Sequence, residues 1–90
     1  MKKSMIQVGK LYWDHKKGLR RVLEIGEDRF GEITVDYAQI SGSRKDPSTR
    51  TCAYGYPIHG CYLRSFQEWA QEIVAVEVGT IEFEMFLSTL

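Results

Sequence analysis

The sequence predicts an α+β fold, a small and partly open antiparallel β-barrel of four to five strands with one amphipathic helix near residues 66–74. Three observations support it. Residues 19–25 and 32–37 are two strand-like segments separated by turn residues. Apolar residues after Ser65 recur at helical spacing. The chain of 90 residues is long enough for one domain, residues 1–90, with a thin core.

The first half of the chain is predicted to form three strands. Residues 8–13 form a short first strand, and residues 14–18 are its turn. Residues 19–25 and 32–37 then form an antiparallel hairpin, because apolar and polar residues alternate along the second segment. The alternation shifts after Tyr37, since Ala38 and Ile40 are apolar, which indicates a bulge near Ala38.

The middle of the chain is compatible with more than one structure. Residues 41–49, rich in Ser, Gly and Pro, are predicted to form a surface loop. A turn centred on residues 55–58 would place Cys52 opposite Cys61 in a second hairpin. Alternatively, the whole stretch from Cys52 to Ile58 is one irregular strand with alternate side chains on one side.

The second half is predicted to hold the helix. Ser65 and Glu68 have the spacing of a capping box, and an apolar stripe follows. The stripe consists of Phe66, Trp69, Ala70, Ile73 and Val74. Between residues 81 and 87, apolar residues alternate with Glu82 and Glu84, which favours a strand. A helical stripe is equally possible, formed by Phe83, Phe86, Leu87 and Leu90. We expect the strand.

These elements together suggest an SH3-like barrel, and the chain resembles small proteins of phage and other mobile elements. The resemblance rests on residues 8–12, 18–23 and 35–37, and on Cys61 with residues 65–70. It covers about residues 8–70 and is structural rather than chemical. Such proteins, many of them carried on integron gene cassettes, are mostly of unknown function. The resemblance therefore implies a small barrel of mobile-element origin and no catalytic residue.

The charge of the chain limits its function classes. Twelve basic and twelve acidic residues give zero net charge, which excludes a strongly basic nucleic-acid protein. The total is a cancellation, since residues 1–50 carry +4 and residues 51–90 carry −4. The apolar runs are too short to cross a bilayer, and polar residues interrupt any signal-peptide core after Met1. We expect a cytoplasmic protein that does not bind membranes.

Residues capable of catalysis or metal binding are sparse. Cys52, His59 and Cys61 lie within ten residues, but no second pair of ligands completes a zinc site. Two packed thiols are the expected state, with a disulfide as the alternative. A cysteine two residues from a histidine on one strand lies too far for a direct hydrogen bond. We expect neither an enzyme nor a cofactor or metal.

Binding is the function class that the sequence favours. Residues 10–21 interleave two aromatic residues with five Lys or Arg, a combination by which small barrels bind single-stranded nucleic acid. The candidate binding residues are Tyr12, Trp13, His15, Lys16, Lys17, Arg20, Arg21, Tyr54 and Tyr56. The competing interpretation is that Tyr12 or Trp13 packs in the core, because strand alternation turns one of the two inward.

Three hypotheses follow. The leading one is a non-enzymatic binding module that engages a protein or a nucleic acid through residues 12–21. The second is a small-molecule binder with an aromatic pocket near Trp13, Tyr54 and Tyr56. The third is a homo-oligomeric structural protein, a homodimer through residues 80–90, because a thin core and an apolar C-terminus favour self-association.

Overall fold

A computed structural model describes residues 1–42, 48 and 50–90. A 3₁₀ turn at Lys3–Met5 comes first. Five strands and two helices then follow in the order β1 (Leu11–Trp13), β2 (Leu19–Glu27), β3 (Ile33–Ser41), β4 (Ile58–Tyr62), α1 (Leu63–Trp69), β5 (Glu72–Val74) and α2 (Ile81–Ser88). The predicted α+β class is confirmed. Among the described residues, no helix has the length and apolar character that a membrane span requires.

The five strands form one antiparallel sheet in the order β4-β3-β2-β1-β5. In the described part of the chain its two end strands, β4 and β5, do not pair with each other, so the sheet is open, consistent with a partly open barrel. The β2–β3 hairpin is confirmed. Its register shifts between Val22 and Glu24 and again opposite Leu19 and Arg20, where β3 carries Ile40 as an extra residue. The second shift lies two residues from the bulge predicted near Ala38.

Both faces of the sheet are covered, each by its own apolar cluster. On one face, α1 packs on a cluster whose buried members are Ile6, Tyr12, Val22, Val35, Tyr37, Leu63, Phe66 and Ala70. On the other, α2 supplies Phe83 to a cluster with Leu11, Leu19 and Val74. Successive strand residues therefore alternate between two buried surfaces rather than between core and solvent.

The helix predicted over residues 66–74 is shorter and begins earlier. It spans Leu63–Trp69, with Tyr62 rather than Ser65 at its N-cap and no capping hydrogen bond from a side chain. Residues 72–74 form β5 instead, where Tyr12 pairs with Ile73 and Leu11 with Val74. The free edge of β1 takes this segment as a strand partner, because pairing satisfies backbone groups that the exposed edge would leave open.

The strand expected at residues 81–87 is wrong, and the helical alternative is correct. The side chain of Thr80 accepts a hydrogen bond from the backbone N–H of Phe83 at 3.2 Å, which caps the N-terminus of α2. Glu82 and Glu84 lie in the first turn, where negative charge stabilises the helix dipole. The described residues thus form two α-helices where the sequence predicted one.

Of the two alternatives for the middle of the chain, the one that places Cys52 opposite Cys61 is not formed, since Cys61 pairs with Val35 of β3. The N–H of Cys52 donates to the carbonyl of Tyr56 at 2.9 Å, so the turn closes over residues 52–56 and Cys52 does not reach β4. Gly55 supplies the positive φ of 83° that this tight turn requires. Neither Cys52 nor Cys61 forms a disulfide. In the loop predicted at residues 41–49, positions 43–47 and 49 lie outside the described residues.

Candidate functional site

The basic turn between β1 and β2, residues 14–18, is held by its own hydrogen bonds. The carboxylate of Asp14 accepts from the N–H of Lys16 at 2.8 Å and from that of Gly18 at 3.0 Å. His15, at a φ of 63°, reaches across to Glu72 with 3.1 Å between Nε2 and Oε1. Lys16 and Lys17 are exposed. The predicted turn is thus confirmed, and the acidic residues Asp14 and Glu68 line the same surface as Lys16.

The two aromatic residues of β1 contact the protein itself. Tyr12 is fully buried, and its hydroxyl donates to the carbonyl of Met5 at 2.6 Å and accepts from the N–H of Gln7 at 2.8 Å. Burial raises the pKa of the Tyr12 hydroxyl, and the hydrogen bond from Gln7 partly opposes this. The ring is therefore a core element, and no base can stack on it.

Trp13 points to the opposite face and is half-buried. Its ring meets that of Phe86 edge-on, with centroids 5.5 Å apart, and its Nε1–H donates to the carbonyl of Lys16 at 2.8 Å. Both residues of the aromatic pair thus pack internally, because each face of the sheet is covered.

Arg20 is also used by the fold. Its guanidinium lies between two rings, 4.4 Å from the centroid of Tyr37 and 3.9 Å from that of Trp69. Its Nε–H donates to the side-chain oxygen of Gln39 at 3.0 Å. Arg20 therefore ties β2 to β3 and to the end of α1.

Arg21 is placed differently, although it is the next residue of the same strand. It lies between Leu11 of β1 and Ala38 of β3 in the sheet register, on the α2 face. Within the described residues its guanidinium makes no hydrogen bond or ion pair. The methyl side chain of Ala38 leaves space beside it, and two cavities open there.

The two cavities share Arg21, Tyr54 and Val78, and we call them together the Arg21 groove. The larger has a volume of about 350 Å³ and is lined by Gly9, Leu11, Arg21, Tyr54, Val76, Glu77 and Val78. The smaller has about 190 Å³ and is lined by Arg21, Leu23, Ala38, Ile40, Cys52, Ala53, Tyr54, Tyr56 and Val78. The walls of the smaller cavity are mainly apolar.

Comparison with protein-family models, curated proteins and solved structures finds no match to this chain.

Tyr54 and Tyr56 form the aromatic wall of the groove. Tyr54 is 62% exposed, and its ring lies against Gly79, where an added Cβ would be 3.5 Å from Cε1 of the ring. Tyr56 is half-buried; burial first, and then the nearby Glu84 and Cys52, raise the pKa of its hydroxyl. Tyr56 therefore stays neutral at physiological pH.

Glu77 is the groove residue that the sequence did not suggest. It lies in the connection between β5 and α2, and its backbone carbonyl accepts from both the N–H and the hydroxyl of Thr80, at 3.3 and 2.7 Å. No motif joins Glu77 to Arg21, which lies 56 positions earlier. Only the order of strands in the sheet brings them to the same cavity.

The structure thus separates the nine predicted residues into three groups. Arg21, Tyr54 and Tyr56 come together in the groove, and His15, Lys16 and Lys17 stay on the exposed turn. The other three pack internally; they are Tyr12, Trp13 and Arg20. Trp13 does not line either cavity, so the aromatic pocket proposed for it with the two tyrosines is formed without it.

A metal site is not assembled in the part of the chain that the structure describes. There, no three His, Cys, Asp or Glu side chains lie close enough together to hold an ion. His59 and Cys61 both belong to β4, whereas Cys52 lies in the separate turn that lines the groove.

Proposed function

We propose that this protein is a non-enzymatic binding module that takes a small organic anion with an apolar body in the Arg21 groove. The observation that carries this proposal is the guanidinium of Arg21. Arg21 is half-buried in the middle of a sheet face and, among the described residues, its guanidinium has no counter-ion or hydrogen-bond acceptor. A guanidinium without a protein partner beside apolar side chains can form a charge-assisted pair with an anionic ligand.

The groove leaves this guanidinium open to a ligand. Across the described residues, every side-chain nitrogen or oxygen that is fully buried has a hydrogen-bond partner. The side-chain nitrogens of Arg21 have no such partner, so they are not fully buried, and Arg21 lines both cavities of the groove. A guanidinium presents parallel N–H donors that match the two oxygens of a carboxylate. An organic anion would supply the missing acceptor.

The walls support a ligand with an apolar body. Leu23, Ala38 and Ile40 line the smaller cavity, and Leu11 and Val76 line the larger one. The lining of the smaller cavity is mainly apolar, whereas that of the larger one is mainly polar. Ligand sites in proteins combine apolar walls with a few fixed polar groups, and the larger cavity, of about 350 Å³, is at the lower end of their usual size. The ligand is therefore small.

Binding without catalysis is supported by the residues of the groove. Cys52 is its one thiol among the described lining residues, and none of these is a histidine that would activate it. His59 lies near Tyr37, with ring centroids 6.1 Å apart, on the face covered by α1. A thiol and an imidazole are thus not brought together among the described lining residues of the groove.

The test is a thermal-shift screen of the purified chain against monocarboxylates with aliphatic or aromatic bodies. A ligand at ten times its Kd adds about 1.4 kcal/mol to the free energy of unfolding, which raises the Tm of a chain this size by about 5–10 °C. Arg21→Met keeps the aliphatic stem and removes the charge, so it should abolish the shift. The proposal fails if no such compound shifts the Tm, or if Arg21→Met retains the full shift.

The protein or nucleic-acid partner expected at residues 12–21 stays a prediction, as does the mobile-element origin. Exposed Lys16 and Lys17 are compatible with such a contact. The stacking platform that motivated it is occupied, since Tyr12 is buried and Arg20 lies between two rings. Binding of a small organic anion in the Arg21 groove is therefore the function that the geometry supports best.

A further inference from the structure

The larger cavity of the Arg21 groove carries two opposite charges that do not neutralise each other. Arg21 approaches from the sheet and Glu77 from the connection between β5 and α2. No ion pair within 4.0 Å joins them among the described residues. Each therefore keeps its charge available to a third group.

Both charged residues are held on rigid backbone. Arg21 belongs to the central part of the sheet, paired with Leu11 on one side and Ala38 on the other. The backbone of Glu77 is held by the two hydrogen bonds that its carbonyl accepts from Thr80, and its side chain is exposed. A cationic and an anionic residue that line one cavity favour a ligand that carries the complementary pair of charges.

The charges also exclude other anions. A phosphate or a dicarboxylate would bring a second negative charge towards Glu77, with Arg21 as the one cationic side chain among the lining residues. Arg21 and Tyr54 continue into the smaller cavity of about 190 Å³, whose walls are mainly apolar. The ligand therefore needs one carboxylate, one positive charge and an apolar extension.

We propose that the ligand is a zwitterionic α-amino acid with an apolar side chain. Its carboxylate pairs with the guanidinium of Arg21, its ammonium with the carboxylate of Glu77, and its side chain enters the smaller cavity beside Ala38 and Tyr56. The inference rests on the proposed function of the groove and adds the ammonium and its acceptor.

The experiment is a calorimetric titration with the apolar L-amino acids and, for the best of these, with its N-acetyl derivative. Acetylation removes the ammonium and keeps the carboxylate and the side chain. We expect millimolar or tighter binding of at least one amino acid. We expect about tenfold weaker binding of its N-acetyl form, as for the loss of one charge-assisted contact.

Variants locate the effect. Glu77→Gln should weaken the amino acid about tenfold and leave the N-acetyl derivative unchanged. Glu82→Gln, on the exposed first turn of α2 and outside the lining residues, is the matched control and should change neither. Because Glu77 is exposed, its substitution is expected to fold, and a thermal melt checks this.

The outcomes separate the two proposals. Equal or tighter binding of the N-acetyl derivative overturns the amino-acid inference and leaves an organic-anion site at Arg21 standing. So does binding of other monocarboxylates with no binding of any amino acid. If Arg21→Met binds all these compounds as the unaltered chain does, or if none of them binds, the proposed function itself fails and the inference with it.

Discussion

Two adjacent arginines of β2 have opposite relations to the fold. The guanidinium of Arg20 lies between the rings of Tyr37 and Trp69 and donates to Gln39. The guanidinium of Arg21 has no hydrogen bond or ion pair among the described residues. Arg20→Met would remove two cation–π contacts and one hydrogen bond. We expect the free energy of unfolding to fall by about 1–3 kcal/mol, measured by urea denaturation.

Arg21→Met is the matched control, since it makes the same chemical change one residue later. It removes a half-buried charge that has no protein partner and retains the aliphatic stem on the sheet. We expect its stability to stay within about 0.5 kcal/mol of the unaltered chain. Equal destabilisation by both variants would give Arg21 a structural role and remove the main support for the groove.

The candidate site was predictable from the sequence only in part. Arg21, Tyr54 and Tyr56 stand out as polar or aromatic residues in strand and turn segments, and they do meet. Glu77 does not stand out in the sequence, because its place in the groove depends on β5 pairing with β1, which the apolar periodicity does not indicate. Strand alternation predicts that one of Tyr12 and Trp13 turns inward, whereas both pack against the protein because this sheet is covered on both faces.

At the level of elements, the covering of both sheet faces also explains why the helix predicted to reach residue 74 ends at Trp69. Phe66, Trp69 and Ala70 form a helical stripe, and Ile73 and Val74 extend it at the correct spacing. In a sheet covered on both faces, two consecutive apolar residues are also what a short buried strand shows. Ile73 packs against one cluster and Val74 belongs to the other. The spacing is thus compatible with both structures, and the unpaired edge of β1 decides between them.

The strand predicted for the C-terminal segment is wrong because the spacing of its apolar residues fits both a strand and a helix. Ile81, Phe83, Met85 and Leu87 alternate as in a strand, but the residues that pack inward are Phe83, Phe86, Leu87 and Leu90. The signal that distinguishes them is Thr80, a favourable N-cap followed by two glutamates in the first turn. The N-cap residue therefore distinguishes a helix from a strand in this segment, which the apolar pattern alone does not.

Thr80 gives a prediction for α2. Thr80→Ala removes the cap on Phe83 and one of the two hydrogen bonds to Glu77, so we expect a loss of about 1 kcal/mol in the free energy of unfolding. Thr80→Ser should restore most of it. Thr89→Ala, at the other end of α2, removes an exposed hydroxyl and should change little. If Thr80→Ala is as stable as Thr89→Ala, the cap does not determine where α2 begins.

At the level of the whole molecule, the two oppositely charged halves of the chain are interleaved rather than separated. Glu32 of the first half pairs with Arg64 of the second at 2.9 Å, and His15 with Glu72 at 3.1 Å. Glu68 also lines the surface beside His15 and Lys16. Among the described residues, the basic side chains before position 50 therefore do not form an uninterrupted cationic face around the basic turn, and a polyanion would meet acidic side chains there.

The homodimer predicted through residues 80–90 can be tested without disturbing the core. Deleting these residues would remove Phe83, which is 1% exposed, and so unfold the chain rather than separate two copies. Ile81 and Met85 lie on the outer face of α2, 76% and 64% exposed, and a lysine at either position can extend into water.

If two copies associate through that face, light scattering on the unaltered chain gives twice the chain mass of 10.4 kDa. The double variant Ile81→Lys with Met85→Lys should return the mass to 10.4 kDa. Its circular dichroism spectrum should be unchanged, which shows that the variant folds. Lys→Glu at Lys16 and Lys17, which lie on the basic turn, serves as the control and should leave the dimer intact. A single-chain mass for the unaltered protein at high concentration would exclude this dimer. Ile81 and Met85 would then be isolated apolar residues of the kind that soluble proteins commonly expose.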